Sequence, residues 1–382
     1  MSYQIPNPTD YEIDPERGFL LGQPPLKRLP AEFERWEQVA ANVPVLLMTG
    51  RLRSTLEQLP LPDLNRLETI DHWRRAMLLL SVFGNGYVWG ENPQATVIPR
   101  SIAVPWWQVA EKLGRPPIAS HASLGLYNWQ LVDENRPFDL DNVDTLQPFL
   151  GGLDERWFYV TTAAIEARGG PAVAAVIEAQ IAVGSERVEA LARSLEKLKT
   201  ALGHMHAVLL RIPEKCSPYI FFHRIRPFIA GWDEAGVIYE GVSQTPQHFV
   251  GGSAAQSSLL PVIDAGLGIE HPNPHTGPFM QDMRRYMPPS HRNFVQAVEN
   301  GPSIRQFVLS HASTHPTLAE LYNHCLAAVD QFRKKHLEIA VRYIINEAPD
   351  DERAAYGTGG SSFVPFLSTT RQETRDRKIT GQ

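Results

Sequence analysis

The sequence is poor in the residues and motifs that mark several common protein classes. Among its 382 residues are two cysteines, Cys216 and Cys325, which are too few and too far apart for a disulfide framework or a cysteine-based zinc or iron–sulfur site. No apolar run approaches the roughly 20 residues that span a bilayer. Ala76–Phe83 is too short, and Ala172–Val183 is interrupted by Glu178. We therefore expect a soluble protein, and any metal in it must bind to other ligands.

A strong charge of one sign is also missing. The formal net charge is -6 and no strongly basic stripe is present, which argues against nucleic acid or a membrane surface as the main partner and favours a small-molecule substrate. Residues 1–18 are polar and proline-rich, with neither the basic nor the apolar region of a secretory signal. From this composition we expect a cytoplasmic protein.

The motifs of the most familiar enzyme classes are missing as well. The chain has no His-Glu-x-x-His run, no Gly-x-Ser-x-Gly elbow and no phosphate-binding loop, so metalloprotease, hydrolase and nucleotide-binding functions lack support. Other histidines make poor metal pairs. His204 and His206 would point away from each other on a helix, and His324 lies roughly 18 Å of helix before His336.

Helical periodicity, by contrast, is abundant, while strand signals are sparse. Proline-rich segments up to residue 65 give way to stronger helical patterns, and beyond the turn-rich segment Gly151–Asp154 the helices become long. We predict a mostly α fold with two domains, a small α-rich N-terminal domain (residues 1–150) and a large all-helical domain (residues 151–382). The predicted helices are Ala31–Asn42, Arg66–Val82, Glu155–Ala167, Pro171–Val183, Glu186–Leu210 with Ser185 as N-cap, Phe279–Tyr286, His291–Glu299, Ile304–His311 and Thr317–Asn346. The segment Thr369–Gln382 is predicted to be a charged, poorly ordered tail.

The last long helix carries a histidine on its apolar face. Apolar residues recur mostly three or four positions apart along it, at Leu318, Leu321, Cys325, Val329, Phe332, Ile339 and Tyr343. His336 fills the one gap in this series, and Arg333 lies one turn before it. An imidazole that points into an apolar cavity, with a cation one turn away to meet a propionate, is the arrangement that a b-type haem needs. A core histidine satisfied by a backbone carbonyl is the commoner case, so the pattern alone leaves both interpretations open.

Seven segments, taken together and in this order, resemble the indoleamine 2,3-dioxygenase family. They are Tyr87–Gly90 (YVWG), Ile98–Val104 (IPRSIAV), Phe221–Trp232 (FFHRIRPFIAGW), Gly251–Ser258 (GGSAAQSS), Asp282–Asn293 (DMRRYMPPSHRN), His336–Ile344 (HLEIAVRYI) and Gly357–Gly360 (GTGG). The resemblance runs from about residue 15 to about residue 370. It implies a haem dioxygenase fold in which the small domain covers the distal side of haem b and the large, haem-binding domain carries a mobile loop near residues 350–362.

The resemblance also implies which residues hold the cofactor. It makes His336 the proximal ligand of the iron, pairs Arg333 with a haem propionate and places Asp264 nearby as a partner of that arginine. The residues that it puts against the haem are Phe222, Ser253 and Ala254. A surface ion pair is the competing interpretation of Asp264, and a plain turn is that of the segment Gly251–Ser258.

For the substrate, L-tryptophan or a related indoleamine, the resemblance implies an aromatic pocket with a cationic clamp. Phe221 would contact the flat indole, and Arg226 would hold the carboxylate through charge-assisted bonds. His223 and Arg224 are basic too, and only alignment on the family segments selects Arg226. Thr358, in the mobile loop, would bond the ammonium or the carboxylate of the amino acid. The other residues assigned to the substrate pocket are Phe158, Thr162, Leu124 and Gly252.

The implied reaction is cleavage of the indole 2,3 bond of tryptophan by O2, which gives N-formylkynurenine in the first step of tryptophan catabolism through the kynurenine pathway. The implied site has no obvious distal base, so the cofactor carries the chemistry and no further catalytic side chain is expected. An external one-electron reductant completes the set of expected partners.

The distal segment departs from the animal enzymes of the family. Where they have a tyrosine, a cysteine and a valine, this chain has His121, Leu124 and Gly125, and Thr162 takes the place of a serine. These changes reshape the indole pocket but leave the ligand and the clamp in place. Two other functions therefore stay open: a related haem enzyme that acts on a modified indole in biosynthesis, and a non-catalytic haem sensor.

Overall fold

The computed structural model describes residues 5–349 and 355–380, and the chain is mostly α-helical in this part. The α-helices are α1 (Glu34–Met48), α2 (Leu52–Glu57), α3 (Ile70–Trp89), α4 (Arg100–Leu113), α5 (Leu153–Gly184), α6 (Val188–Leu209), α7 (Ile212–Lys215), α8 (Pro218–Ile220), α9 (Arg226–Ile229), α10 (Leu259–Leu267), α11 (Thr276–Met283), α12 (Pro289–Glu299), α13 (Ile304–His311), α14 (Pro316–Ala340) and α15 (Phe363–Arg375). Three π-helical turns lie between these helices, at Ala122–Leu126, Phe221–Ile225 and Val341–Ile345. No helix in the described residues is both long and apolar enough to span a lipid bilayer.

Short strands join distant parts of the chain. They are β1 (Val97–Ile98), β2 (Trp129–Leu131), β3 (Val143–Thr145) and β4 (Ile238–Tyr239). β1 pairs with β4 in parallel, and β2 pairs with β3 in antiparallel register. These small sheets leave the predicted mostly α fold confirmed.

The long helices of the second half of the chain build the main core. α5 and α6 pack along each other, α14 lies against α6 and α15, and α10 lies against α5 and α12. Val176, Leu195, Ile263 and Cys325 are fully buried among them. In the first half of the chain, α3 packs against α4. α5 begins at Leu153, close to residue 150, but the division into two domains stays a prediction.

α5 is one helix of 32 residues, where the sequence predicts two helices that part at Gly169-Gly170-Pro171. The prediction followed the usual effect of glycine and proline on helices, and it is wrong because packing requires the glycine. A Cβ on Gly170 would lie 2.2 Å from the carbonyl oxygen of Glu16. Glycine lets the N-terminal segment cross the helix at this close distance, and the helix continues to Gly184.

α3 starts later than predicted, at Ile70 after the N-cap Thr69, and it also ends later. The predicted helix stops at Val82, before Asn85-Gly86, but α3 continues to Trp89. A Cβ on Gly84 would lie 1.8 Å from the indole ring of Trp106 in α4. Gly84 therefore lets α3 and α4 pack closely, and the helix continues beyond it.

Other helix bounds agree more closely. α13 coincides with the predicted Ile304–His311, and α14 with the π-helical turn that follows it covers the predicted Thr317–Asn346 to within a residue at each end. Ser185 does not cap α6, because α6 begins only at Val188. The Ser185 amide instead donates to the carbonyl of Ile181 and closes α5.

The C-terminal segment is largely helical rather than a loose tail, so that prediction is wrong. α15 packs against α14, and Thr370 and Thr374 on it are almost completely buried. The guanidinium groups of Arg371 and Arg375 both lie 3.0 Å from the carboxylate of Asp330 on α14. Polar side chains make much of this contact, and hydrophobic periodicity does not detect them.

Candidate functional site

His336 lies on the inward face of α14, as predicted, one turn after Phe332. Phe332 and Ile339 on either side of it are buried, and His336 itself is half-buried. Burial lowers the pKa of its imidazole below the ordinary value, and no neighbouring charge or hydrogen bond contributes to that shift. The ring is therefore neutral near pH 7, which is the form that binds a metal ion. Elsewhere in the described residues, no three His, Cys, Asp or Glu side chains are grouped so as to hold a metal ion.

Arg333 and Asp264 form a buried ion pair close to His336 along the chain. Arg333 Nη2 lies 2.6 Å from Asp264 Oδ2, and each side chain is only 5% exposed. Arg333 Nη1 also donates to the hydroxyl of Thr374 on α15. Burial by itself would raise the pKa of the Asp264 carboxyl, but Arg333 and His271 outweigh burial and hold it below its ordinary value. The ion pair of Asp264 is thus buried and does not lie at the surface. The charge of Asp264 holds the guanidinium of Arg333 in place, one turn before His336.

Three of the predicted pocket residues meet where α5 faces the π-helical turn Phe221–Ile225. The ring centroids of Phe158 and Phe221 are 4.9 Å apart, and those of Phe221 and Tyr343 are 5.8 Å apart. Thr162, one turn after Phe158, donates its hydroxyl to the Phe158 carbonyl at 2.9 Å. π-Helical turns are frequent at functional sites. The aromatic wall formed by Phe158, Phe221 and Tyr343 is therefore a candidate ligand-binding surface.

Arg226 differs from its two basic neighbours in its surroundings. His223 and Arg224 are exposed, whereas Arg226 is half-buried. Its guanidinium carbon lies 5.3 Å from the ring centroid of Phe222, and its Nη2 donates to the Tyr356 carbonyl at 2.5 Å. The geometry therefore favours Arg226 over its neighbours as a clamp. It also places part of the predicted mobile loop against that clamp.

The two glycines of the Gly-Gly-Ser segment have different surroundings. A Cβ on Gly251 would lie 2.1 Å from the Ile229 carbonyl oxygen, so glycine is required where two backbone segments cross. A Cβ on Gly252 would have no neighbour closer than 3.6 Å, with Leu124 Cδ1 at 3.7 Å. Thr358 Oγ1 donates to the Gly252 carbonyl at 2.6 Å, and the Thr358 carbonyl accepts from the Gly251 amide at 3.0 Å. Thr358 thus lies over the glycine pair, and Leu124 lies near Gly252.

Ser253 and Ala254 follow this glycine pair. Ser253 is half-buried and caps the short 3-10 helix Ala254–Gln256, whose first residue is exposed. Gln256 ties the segment to the distal one, since its Oε1 accepts from the His121 amide at 2.9 Å. The segment is therefore a fixed, bonded turn rather than a loose linker. The contact that Ser253 and Ala254 make with a haem stays a prediction.

The chain resembles known proteins over nearly its whole length. The family model of indoleamine 2,3-dioxygenase matches residues 7–377. The chain belongs to the indoleamine 2,3-dioxygenase family. It is 36% identical to indoleamine 2,3-dioxygenase 1 of Mus musculus, over 96% of this chain and 94% of that protein. It is 35% identical to indoleamine 2,3-dioxygenase 2 of Homo sapiens, over 95% and 93%. A protein of Haliotis madaka named myoglobin is 31% identical, over 95% and 97%.

Membership in this family makes the protein a haem dioxygenase. The residues on α14 fit that cofactor. The neutral imidazole of His336 suits an iron ligand, and the buried Arg333 supplies a cation of the kind that pairs with the carboxylates at the edge of a haem. His336 and Arg333 were singled out from helical spacing, and the structure places them on the same inward face.

His121, Glu166 and Ser257 form a buried polar network in this dioxygenase that the sequence did not predict. His121 Nε2 lies 2.8 Å from Glu166 Oε1, and Ser257 donates its hydroxyl to the same oxygen at 2.5 Å. All three residues are buried. Glu166 follows Thr162 by one helical turn and Phe158 by two, so the spacing on α5 could have placed it on the pocket face.

Three of the departures from the animal enzymes, Gly125, His121 and Thr162, lie in contact with one another. A Cβ on Gly125 would lie 3.2 Å from the methyl carbon of Thr162 and 3.3 Å from His121 Cε1. Both distances are too short for relaxed packing, so a larger residue at position 125 would push one of these side chains aside. The glycine therefore accompanies His121 and Thr162.

Asn85, inside α3, joins three parts of the site and was also missed. Its Nδ2 donates to the carbonyls of Phe228 and Ala230, each at 3.0 Å. Its Oδ1 accepts from the Ala119 amide at 3.1 Å. The residue is fully buried, whereas the predicted helix ended before it, at Val82. Its side chain fixes the segment after Arg226 to the segment that leads to the distal pocket.

Proposed function

We propose that the protein cleaves the indole 2,3 bond of L-tryptophan or a closely related indoleamine, adding both atoms of O2 and giving N-formylkynurenine at the start of tryptophan catabolism. The observation that carries this proposal is the half-buried guanidinium of Arg226 beside the ring of Phe222. Phe221 precedes Phe222 in the chain, and its ring centroid lies 4.9 Å from that of Phe158. A fixed cation at the edge of an aromatic wall suits an amino acid with a flat, apolar ring.

We infer that haem b is the cofactor and that it lies between the two proposed domains, which part near residue 150. His336 would ligate the iron, and Arg333 would meet a propionate while Asp264 holds it in place. Phe222, Ser253 and Ala254 would lie against the haem. The expected cytoplasmic location, by contrast, stays a prediction.

When bound, the haem iron would supply the activation of O2, and an external one-electron reductant would bring it to the ferrous state. Insertion of both oxygen atoms into the indole then needs no further electrons. Arg226 would hold the substrate carboxylate, and Phe221 and Phe158 would fix the plane of the indole against the reacting oxygen. Positioning of this kind removes much of the entropic cost of bringing two reactants together. Leu124 and Thr162 would border the indole, with Gly252 leaving room beside them.

The loop would close the site over the substrate. The Thr358 hydroxyl donates to the Gly252 carbonyl, which leaves its oxygen lone pairs able to accept a bond from the substrate ammonium. Tyr356 contacts Arg226 through its carbonyl. In this position the loop is anchored at the clamp and would exclude water from the site, which suits a lid that opens for each turnover.

The experiment that tests the proposal is a turnover of reduced protein with tryptophan and isotopically heavy O2, followed by mass spectrometry. We expect N-formylkynurenine carrying two heavy oxygen atoms. A product with one heavy oxygen would instead indicate a mono-oxygenase of a modified indole. Because His121 and Leu124 alter the pocket, the same assay with ring-substituted tryptophans would show which indole is preferred.

A non-catalytic, haem-binding function is the second candidate, since one relative that matches over nearly its whole length carries the name myoglobin. The two functions predict different results for the reduced protein. A binder would form a stable complex with O2 and leave tryptophan unchanged. A dioxygenase would consume both, so product formation decides between them.

A further inference from the structure

A chain of four alternating charges links the helix that carries His336 to the C-terminal helix. Arg333 on α14 pairs with Asp264 on α10 at 2.6 Å. The same oxygen of Asp264, Oδ2, is 3.1 Å from His271 Nε2, and His271 Nδ1 is 2.6 Å from Glu373 on α15. Each of the four side chains is at most 10% exposed. The cluster is therefore part of the interior, where charges interact strongly.

The imidazole of His271 is held in its charged form by this geometry. Both ring nitrogens face carboxylate oxygens, and a neutral imidazole has only one N–H to donate. Burial lowers the pKa of His271, but hydrogen bonds and charge from Asp264, joined by a bond from Glu373, outweigh burial and raise the pKa above its ordinary value. His271 thus keeps its proton to a higher pH than a free imidazole does, and loses it as the pH rises through that raised pKa.

Other charges around His271 are paired with one another. Glu270, next to it in the chain, is 2.6 Å from Arg377 and largely exposed. On the boundary of α14 and α15, Asp330 is shared by Arg371 and Arg375. Among the described residues, the charged groups that contribute to the pKa of His271 are Asp264, Arg333 and Glu373.

We propose that His271, shared by Asp264 and Glu373, is a positioning residue that keeps Arg333 able to hold an anionic carboxylate of the cofactor. This inference rests on the proposed role of Arg333 toward haem. With an imidazolium at His271, the four side chains carry two positive and two negative charges. Once His271 loses its proton, the cluster is negative by one charge, and the whole of the Asp264 charge acts on Arg333. A haem carboxylate would then meet a weaker cation.

The same contacts give the C-terminal helix a part in the site. Glu373 Oε1 also accepts from the Thr276 hydroxyl and the Asn273 amide, both at 3.3 Å. Thr374, the next residue on α15, accepts a hydrogen bond from Arg333. α15 therefore supports the guanidinium from two sides, directly through Thr374 and indirectly through His271.

The test is the rate of haem loss from the ferric holoprotein to an excess of apomyoglobin, measured from about pH 6 to about pH 9. For wild type we expect loss to become roughly 3- to 20-fold faster as the pH rises through the pKa of His271. His271→Gln should lose haem quickly at every pH, without this step. His275→Gln is the matched control, because His275 is an exposed histidine on the same segment, and it should keep the wild-type step.

A second variant keeps the test decisive if His271→Gln does not fold. Glu373→Gln removes one of the two carboxylates that favour the imidazolium, so the step should move to lower pH. Thermal unfolding of the apoprotein shows whether His271 and Glu373 only stabilise the fold or also position Arg333. If the variants lower the unfolding temperature but keep the wild-type pH profile of haem loss, the inference is wrong. If the wild-type protein binds no haem at all, it is the proposed function that fails.

Discussion

Replacing Arg226 by alanine tests whether this guanidinium holds the substrate carboxylate. Charge-assisted hydrogen bonds of this kind contribute about 1.5–3 kcal/mol, so Arg226→Ala should weaken tryptophan binding roughly 10- to 150-fold. Turnover should also fall, because the variant loses the contact with the Tyr356 carbonyl that anchors the loop and because the indole is held less firmly. Binding is measured by titrating the haem absorbance with tryptophan.

Tryptamine, which lacks the carboxylate, distinguishes the clamp from a structural role. Wild type should bind tryptamine far more weakly than tryptophan, and Arg226→Ala should bind the two similarly. Arg224→Ala serves as the matched control, since Arg224 is an exposed neighbour, and it should keep the wild-type preference. Should Arg226→Ala still prefer tryptophan by the wild-type margin, the reasoning is refuted and the carboxylate is held elsewhere, with Arg224 or His223 next to be examined.

Two further predictions concern the loop and the pH dependence of stability. Thr358→Ala should weaken tryptophan binding. Deletion of Gly357–Gly360 should lower turnover and leave the haem content unchanged. Wild-type kinetics in both variants would show that the segment is only a linker. Burial lowers the pKa of His291 to about 3, so the unfolded chain takes up a proton at higher pH than the folded one. Stability should therefore drop by about 2 kcal/mol between about pH 7 and about pH 5 through this residue. Urea unfolding of wild type and His291→Gln at both pH values checks this, and an equal drop in both proteins would exclude His291 as its source.

Hydrophobic periodicity was sufficient to predict the features of the site that lie on regular helix faces. The spacing of apolar residues along α14 predicted that His336 and Arg333 point inward, and both do. The ends of elements were harder to predict, because glycines that usually mark a turn serve close contacts here. Gly170 faces the backbone of Glu16, and Gly84 faces Trp106. Such contacts join residues far apart in the sequence, so no local pattern shows them.

Polar contacts across the fold were the other part that the sequence did not reveal. The C-terminal helix is held largely by side chains such as Glu373 and Thr374, whose partners His271 and Arg333 lie on other elements. A charged segment of this composition is typical of a loose tail when seen alone. The pair of His121 and Glu166 was missed for the same reason, since their 45-residue separation is bridged only by the fold.

The most direct test of the whole account is the ferrous absorbance spectrum of His336→Gly with and without added imidazole. The account predicts loss of most bound haem and of activity in this variant, because no second imidazole lies at this position on α14, and partial recovery of the ferrous Soret band when free imidazole fills the space. His324→Ala, which removes an exposed histidine of the same helix, should keep the wild-type spectrum. A His336→Gly protein with wild-type haem content and an unchanged ferrous spectrum would contradict the assignment of His336 as the iron ligand.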